Sequence, residues 1–525
     1  MRKIFLLFIT AMLFSISTAF AQGGTTGPLT WKLENGTLTI SGNGAMPNYS
    51  NGGYYSFTPW HEYRKTIHTI VIHTGVTSIG DYAFSICEIL TSVTIPNSVK
   101  SIGNHAFADC KNLPAVIFPN SITNLGTTAF FRCSNLTSII LSNNISSIGQ
   151  STFAYCTSLT SIEIPGSVIN IGFSAFNYCT NLSTITISEG VRNIDSYAFN
   201  GCKSLTSILI PNSVASIGYY VFDYCTNLTS IEVESENNNY ASENGVLFDK
   251  NKTTLISCPR GKVGAYIIPN SVKKISDYAF QDCIYLTSIT IPNNLASIGY
   301  YALKNCESLI SIDVESNNNT FASENGVLFD KSKDTLILCP QGKTGEYFIP
   351  NGVKNIEWTA FEYCINLTSI TIPNSVTNIG EMAFWGCRNL SSITNFNPIP
   401  VAIAFHVVYE VPRSASLKVP MESVSAYQKA AIWKEFNIIG IEVGIESIET
   451  AILNIYPNPA RGELKIESRK LEIENVVIFD VFGKIQRIEN WKMGTAIDIS
   501  HFPTGVYFVK IRTDVGEVVR MVLKE

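Results

Sequence analysis

The sequence predicts a mainly β protein, in which a solenoid of stacked parallel short strands carries hairpin insertions and is followed by a small C-terminal β-sandwich. Two observations carry this prediction. Cysteines recur every 23 residues, at positions 87, 110, 133, 156, 179, 202 and 225, and the pairs 283/306 and 364/387 keep the same step. Such a fixed period is the signature of a repeat protein. The last part of the chain loses the period and contains short β-like runs separated by turns.

Composition excludes some classes of partner. The chain has 525 residues, 45% of them hydrophobic, and its 37 basic and 42 acidic side chains give a net charge of −5. This hydrophobic fraction supports a large core. A nearly neutral chain has no electrostatic attraction to nucleic acid or anionic lipid, so we expect no nucleic-acid partner.

Residues 1–21 have the pattern of a signal peptide, with a positive start, an apolar run and small residues before the cut. We expect cleavage between Ala21 and Gln22. The apolar run is about eleven residues long, which is short of the ~20 needed to span a bilayer, and no later segment reaches that length. The sequence therefore predicts export without a transmembrane span.

Residues 22–66 are predicted to cap the solenoid. Apolar and polar residues alternate on both sides of Asn35 and Gly36, which are the residues preferred in a two-residue hairpin turn. Trp60 then supplies a bulky apolar side chain to cover the first repeat. A solenoid needs such closed ends, because a terminal repeat would otherwise expose its core.

Residues 67–400 contain eleven copies of one template, IGxxAFxxCxxLTSIxIPxSV. In one copy Leu286, Ile289 and Ile291 alternate with Ser288 and Thr290, as in a strand with one buried face. One 23-residue unit cannot bury this apolar stripe, but stacked units bury it continuously.

These residues resemble the BspA-type leucine-rich repeat family, whose 23-residue unit carries the same signature of Ile-Gly, Ala-Phe, Cys, Leu and Ile-Pro. The resemblance covers roughly residues 28 to 440. It implies a leucine-rich-repeat stack and an extracellular or surface location. Several members of the family are regarded as adhesins or host-contact proteins.

Two matching insertions interrupt the repeat, near residues 234–270 and 315–351. Each predicts a hairpin, in which a strand GVLF is turned by DKxK and returns as TLIxCP. Insertions of this kind often carry binding. The alternative is a decoration that shields an edge, and the sequence leaves both open. Residues 401–445 predict a second cap, with a strand ending at Pro420 and a helix continuing to Phe436.

Residues 446–525 lack the repeat and contain three motifs in a fixed order: YPNP, then VxxFDxxGK, then IDISxFPTGVYFVKI. They closely resemble the type A C-terminal sorting domain of type IX secretion. The matching positions are Tyr456, Pro457, Asn458, Pro459, Gly505 and Tyr507.

That resemblance implies two partners, the type IX secretion machinery and a sortase-like surface protease that removes the domain. We expect the cut near Glu442–Leu453, followed by attachment to a surface lipopolysaccharide. An immunoglobulin-like binding module is the alternative interpretation of this domain.

The thirteen cysteines are predicted to be structural free thiols, because their number is odd and their spacing follows the repeat. Stacked neighbours would lie ~4.8 Å apart, beyond the ~3.8 Å Cβ separation of a disulfide. Cys258 and Cys339 lie outside the cysteine row and would pair with each other only if the two hairpins touch. The sequence contains no metal-binding spacing, nucleophile elbow or dinucleotide loop. We therefore predict no cofactor, no metal and no enzymatic activity.

The outward positions of the repeat strands form a row of hydroxyls with a few acidic and apolar residues. This row is a solvated surface or an extended binding surface, and the second interpretation predicts an adhesin for an unknown extracellular protein or glycan. The alternative is a structural or shielding component of the cell envelope. The candidate binding residues are Ser138, Ser161, Glu163, Thr184, Thr186, Ser207, Ser230 and Glu232.

Overall fold

The computed structural model describes residues 22–49, 57–441, 453–468, 473–480, 484–490, 496–513 and 516–525. The chain divides into two compact units. Of the described residues, the first comprises 22–369, Ser375–Leu390 and Ile403–Pro412. The second comprises Ile370–Asn374, Ser391–Ala402 and Arg413–Glu525.

The first unit is a solenoid whose turns we call coils, and each regular coil contributes two strands. The first strands of the coils form the face row, and the second, shorter strands form the back row. The face row is Thr69–Ile72, Ser92–Thr94, Ala115–Ile117, Ser138–Ile140, Ser161–Ile164, Thr184–Ile187, Ser207–Ile210, Ser230–Val233, Gly264–Ile267, Leu286–Ile291, Ser311–Val314 and Gly345–Phe348. The next strand, Leu367–Ile372, has residues in both units. The back row is Gly44–Ala45, Val76–Ile79, Ser101–Ile102, Asn124–Leu125, Ser147–Ile148, Asn170–Ile171, Asn193–Ile194, Ser216–Ile217, Thr254–Ser257, Lys274–Ile275, Ser297–Ile298, Thr335–Leu338, Asn355–Ile356 and Asn378–Ile379.

The alternation of side chains explains why the face row forms. In the strand Ser161–Ile164, Ile162 and Ile164 are buried while Ser161 and Glu163 are exposed. This strand pairs in parallel with the next one, and residues 23 apart stand side by side. The arrangement confirms the predicted solenoid.

The turn between the back row and the next face strand buries two further rows of side chains. The phenylalanine row is formed by the Phe of the template, and its consecutive members in the regular coils are Phe84, Phe107, Phe130, Phe153, Phe176, Phe199 and Phe222. The ring centroids of neighbouring members lie 5.1 to 6.2 Å apart. In the cysteine row, Cys110 donates a hydrogen bond to the carbonyl of Phe84 at 3.2 Å, and Cys133 to that of Phe107 at 3.2 Å. All thirteen cysteines are buried and free. A small apolar side chain with a weak donor suits this position, because it fills the core and satisfies a buried carbonyl.

Three antiparallel strands precede the first coil: Gln22–Thr26, Leu29–Glu34 and Thr37–Gly42. The second and third are joined by Asn35 and Gly36, whose positive φ values of 47° and 71° are those of a two-residue hairpin turn. Trp60 is buried and stacks on Phe84 of the phenylalanine row, with centroids 5.8 Å apart. Short 3-10 helices in this unit are His61–Tyr63 and Phe405–Val408.

Each insertion contains more than the predicted hairpin. Its strands are Tyr240–Glu243, Val246–Asp249 and Thr254–Ser257 in the first insert, and Phe321–Glu324, Val327–Asp330 and Thr335–Leu338 in the second. The last strand of each joins the back row, and the chain then adds a strand to the face row. Each insert is therefore a hairpin fused to a complete, shortened coil.

Cys258 and Cys339 lie outside the cysteine row, as predicted, and stand in the phenylalanine row. The Cys258 N–H donates to the carbonyl of Ala279 at 2.7 Å, just as the Phe107 N–H donates to that of Ala129 at 2.8 Å. The inserts lack the AFxxC turn, so a cysteine takes the place of the phenylalanine there.

The second unit contains parallel strands, short helices and a separate β domain. The strands Ser392–Asn395, Ser416–Pro420 and Asn437–Ile441 pair in parallel. The helix is Val424–Lys429, shorter than predicted, with flanking 3-10 helices Met421–Ser423 and Trp433–Glu435. The side chains of Tyr427 and Trp433 are buried.

The β domain has two antiparallel sheets among its described residues. One contains Leu453–Tyr456, Glu463–Ser468 and Ala496–Asp498. The other contains Ile473–Asp480, Ile485–Asn490, Gly505–Thr513 and Gly516–Lys524. Residues from both sheets share one apolar core, which fits the predicted sandwich. Residues 442–452, which hold the expected processing site, and Ala21 lie outside the described residues, whereas Gln22 begins the first strand.

Candidate binding face

All eight candidate residues lie on the face row of the first unit. Seven are exposed and Ser230 is half-buried. Parallel pairing places Ser161 beside Thr184, and Glu163 beside Thr186. Neighbouring strands in a sheet lie ~4.8 Å apart, so these side chains form continuous lines across the coils. The positions that the sequence predicted one by one thus belong to a single surface, which we call the strand face.

Two isoleucines interrupt the hydroxyls of the strand face. Ile117 is 67% exposed and Ile140, in the next coil, is 59% exposed. A groove of about 670 Å³ lies beside Ile140, and Ser138, Ser161 and Glu163 line it. The strand face therefore offers exposed aliphatic side chains next to hydroxyls and a carboxylate, which is the mixture found at many protein interfaces.

The turn between the first and second strands of each insert lies against the strand face. The Ile231 N–H donates to the carbonyl of Gly245 at 2.8 Å, so this turn takes the position that the next strand would occupy. Ser242 of the same hairpin donates to the Glu232 carboxylate at 3.1 Å. We call Asn244-Gly245 and the matching Asn325-Gly326 the hairpin tips.

The second tip repeats this contact, because the Ile312 N–H donates to the carbonyl of Gly326 at 2.9 Å. The two binding sites that the sequence left as alternatives, the strand face and the inserts, therefore meet at the tips.

Sequence reasoning missed the strands that the inserts add to the face. Ile267 is 69% exposed and Phe348 is 63% exposed on those strands. The signal was present in the sequence, because both strands end in Ile-Pro as the template does. It was obscured because the Ile-Gly and Ala-Phe positions that define the repeat are absent from the inserts.

The shortened coil of each insert leaves a cleft lined with aromatic rings. In the first cleft, of about 230 Å³, the rings of Tyr220 and Tyr278 lie 5.0 Å apart. In the second, of about 320 Å³, Tyr300 stacks on Trp358 at 5.3 Å. The 23-residue pattern does not predict these clefts, because they form only beside the inserts, where the AFxxC turn of the template is missing.

The two clefts contain different charged side chains. Asp223 and Arg260 form a buried ion pair in the first cleft. In the second, Lys304 lies 3.9 Å from Glu362 and 4.0 Å from the ring centroid of Tyr301. Burial raises the pKa of the Glu362 carboxyl above its usual value, and Lys304 partly offsets this effect.

The described residues show no catalytic or metal-binding arrangement. No group of three or more His, Cys, Asp or Glu side chains that could hold a metal ion is found within the described ranges. Among the same residues, no helix combines the length and the apolar character needed to cross a bilayer.

The motif at the start of the β domain is tied to its last strand. The Asn458 side chain donates to the carbonyl of Met521 at 3.1 Å and accepts from the Leu523 N–H at 2.9 Å. The Tyr507 hydroxyl donates to the carbonyl of Pro503 at 2.9 Å. These contacts give Asn458 and Tyr507 structural roles within the domain.

Comparison with known families and structures identifies both parts of the chain. The profile of the BspA type leucine-rich repeat region matches residues 61–179, 146–261, 258–333 and 341–449. The secretion system C-terminal sorting domain matches residues 454–525. No curated protein matches the chain.

Several solved structures are similar. A leucine-rich cell surface protein from Faecalibacterium prausnitzii is 28% identical, with 71% of this chain and 94% of that chain covered and a TM-score of 0.47. The pneumococcal vaccine antigen PcpA is 20% identical, with coverage of 80% and 99% and a TM-score of 0.46. A leucine-rich repeat protein from Bacteroides ovatus is 21% identical, with coverage of 71% and 94% and a TM-score of 0.40.

The sorting domain indicates secretion through the type IX system and attachment at the cell surface, as the sequence predicted. With its repeats matched over most of its length, this chain belongs to the BspA-type leucine-rich repeat family.

Proposed function

We propose that the protein is a surface-attached adhesin that binds an extracellular protein along the strand face, upstream of the first hairpin tip. The observation that carries the proposal is the pair of exposed isoleucines, Ile117 and Ile140, beside a groove lined by hydroxyls and Glu163. Large exposed aliphatic side chains grouped on one surface favour a macromolecular contact.

The chemistry of the face favours a protein over a glycan. From Ser92 to Glu232 its outward positions carry no aromatic ring on which a sugar could stack. They also carry no Lys or Arg, so an acidic ligand gains nothing there. A protein surface with backbone amides, hydroxyls and apolar side chains matches this composition best.

The proposal includes the handling of the chain during export. The type IX machinery exports the protein through residues 446–525. A sortase-like surface protease then removes this domain by cutting near Glu442–Leu453, which leaves the repeats at the surface. The proposal assigns no enzymatic activity to the repeats.

A binding screen tests the proposal. The exported protein is applied to arrayed matrix proteins, serum proteins and glycans, together with the double variant Ser161→Arg/Thr186→Arg. We expect saturable binding to a protein and a loss of at least tenfold in affinity in the variant, because two long cations cover the groove side of the face. The matched control is Asn124→Arg/Ser216→Arg, which adds the same charges to exposed positions of the back row.

Binding to glycans alone would show that the ligand is a glycan and not a protein. An array without any binding partner would favour the shielding role in the cell envelope. Hydrolytic activity abolished by one point substitution would overturn the assignment as a non-enzyme.

A further inference from the structure

The cysteines of the inserts differ from those of the regular coils in how their thiols are hydrogen-bonded. In the regular coils from Cys110 to Cys225 each thiol has a carbonyl of its own, at 3.1 to 3.4 Å. In the first insert two thiols share one carbonyl, because the sulfurs of Cys258 and Cys283 lie 3.8 and 3.7 Å from the oxygen of Pro259. The Cys283 sulfur is also 3.9 Å from the carbonyl oxygen of Cys258.

The second insert repeats this geometry. The sulfurs of Cys339 and Cys364 both lie 3.8 Å from the oxygen of Pro340. The Cys364 sulfur is 3.6 Å from the carbonyl oxygen of Cys339. These contacts are long, so all four thiols are weakly satisfied although they are buried.

The cause is the substitution in the phenylalanine row. A regular cysteine points at the backbone of the phenylalanine in the preceding coil. Where Cys258 or Cys339 replaces that phenylalanine, the same direction aims one sulfur at another cysteine. In both inserts the two sulfurs therefore lie within 3.8 Å of the same proline carbonyl oxygen.

We propose that the exported protein carries two disulfides, Cys258–Cys283 and Cys339–Cys364, each of which ties an insert to the coil that follows it. The structure shows the reduced form of these pairs. The remaining nine cysteines stay free, because stacked neighbours at ~4.8 Å are too far apart for a disulfide, and eight of the nine donate to a carbonyl of their own. The proposal therefore replaces a Cys258–Cys339 disulfide, since it pairs Cys258 with Cys283 and Cys339 with Cys364.

The oxidant is a protein disulfide of the kind that thiol-oxidising enzymes carry in an oxidising envelope compartment. One thiolate attacks that disulfide, forms a mixed disulfide and releases one thiolate of the oxidant. The second cysteine of the pair then attacks the mixed disulfide and releases the other. Each bridge transfers two electrons and two protons to the oxidant, which leaves as a dithiol. The thiols are buried in the folded chain, so the reaction takes place before the inserts close.

The test counts thiols in the protein recovered from the cell surface. The protein is denatured without reductant, alkylated, digested and analysed by mass spectrometry. We expect nine alkylated cysteines and two linked peptides, and thirteen alkylated cysteines after reduction. Thirteen without reduction, or a link between Cys258 and Cys339, would overturn the proposal.

Two variants test whether the bridges form between the proposed cysteines. Cys258→Ser should remove only the first bridge and give ten alkylated cysteines. The matched control Cys156→Ser, in the regular row, should keep both bridges and give eight.

Discussion

At the scale of single residues, the two insert clefts show how one backbone tolerates different buried charges. Asp223 and Arg260 neutralise each other in the first cleft, with both side chains at most 5% exposed. In the second cleft Glu362 has only a loose partner in Lys304, at 3.9 Å. The residue that corresponds to Glu362 in the first insert is the neutral Gln281. The carboxylate of Glu362 is therefore a cost to the fold at neutral pH.

We expect Glu362→Gln to stabilise the protein at pH 7 by about 1 kcal/mol. The folded pKa of Glu362 lies above its ordinary value of 4.5, so the folded state holds its proton more tightly than the unfolded chain. Stability of the native protein thus falls as pH rises from 4.5 through the folded pKa, and is constant above it. Thermal melts at pH 4 and pH 7 measure this, with the exposed Glu346→Gln as control. The same pH slope in Glu362→Gln and the native protein would contradict the expectation.

At the scale of elements, the hairpin tips are the parts that the repeat cannot predict. The sequence predicts the rows correctly, because burial of Ile162 and Ile164 repeats at each step of 23. It also predicts strands within the inserts. It cannot place Gly245 against the strand face, since that contact depends on the path of the chain in three dimensions. The facing thiols of Cys258 and Cys283 are hidden for the same reason.

Gly245→Ala should destabilise the first insert by about 2 kcal/mol. Gly245 has a φ of +76°, and an added Cβ would lie 2.8 Å from the Ser230 hydroxyl. The control is Gly264→Ala, with a φ of +78° and no atom within 4 Å of the added Cβ. It should cost about 1 kcal/mol, from backbone strain alone. Hydrogen exchange of Tyr240–Glu243 and Val246–Asp249 measures both, and equal losses would show that the close approach to Ser230 costs nothing.

At the scale of the whole molecule, one chain combines a repetitive surface with a short domain that directs its export. The motifs of residues 446–525 were recognisable because their order is fixed, whereas the ligand of the strand face leaves no motif at all. A flat row of hydroxyls is compatible with many partners, so the sequence could nominate Ser161 and Thr186 but not their ligand. The sequence therefore identifies the export route of the protein but not the ligand of the strand face.

Asn458→Ala should trap the protein in the periplasm and lower its surface-exposed fraction severalfold. The side chain of Asn458 makes two hydrogen bonds to the last strand, at 3.1 and 2.9 Å, and their loss costs about 2 kcal/mol in a small domain. Protease treatment of intact cells followed by immunoblotting measures the surface fraction. Arg461→Ala is the control, because its ion pair with Glu525 is exposed and contributes little. Equal surface fractions in the two variants would contradict this role for Asn458.

The hairpin tips also divide the strand face into stretches of different width. Between Asn244-Gly245 and Asn325-Gly326 the face contains three strands, Gly264–Ile267, Leu286–Ile291 and Ser311–Val314. Three strands at the usual spacing are about 14 Å wide, which is the length of roughly four residues of extended peptide. Upstream of the first tip the face runs over eight strands, from Thr69–Ile72 to Ser230–Val233. The tips therefore leave the strand face as two stretches of unequal width, a long one upstream of the first tip and a short one of three strands between the tips.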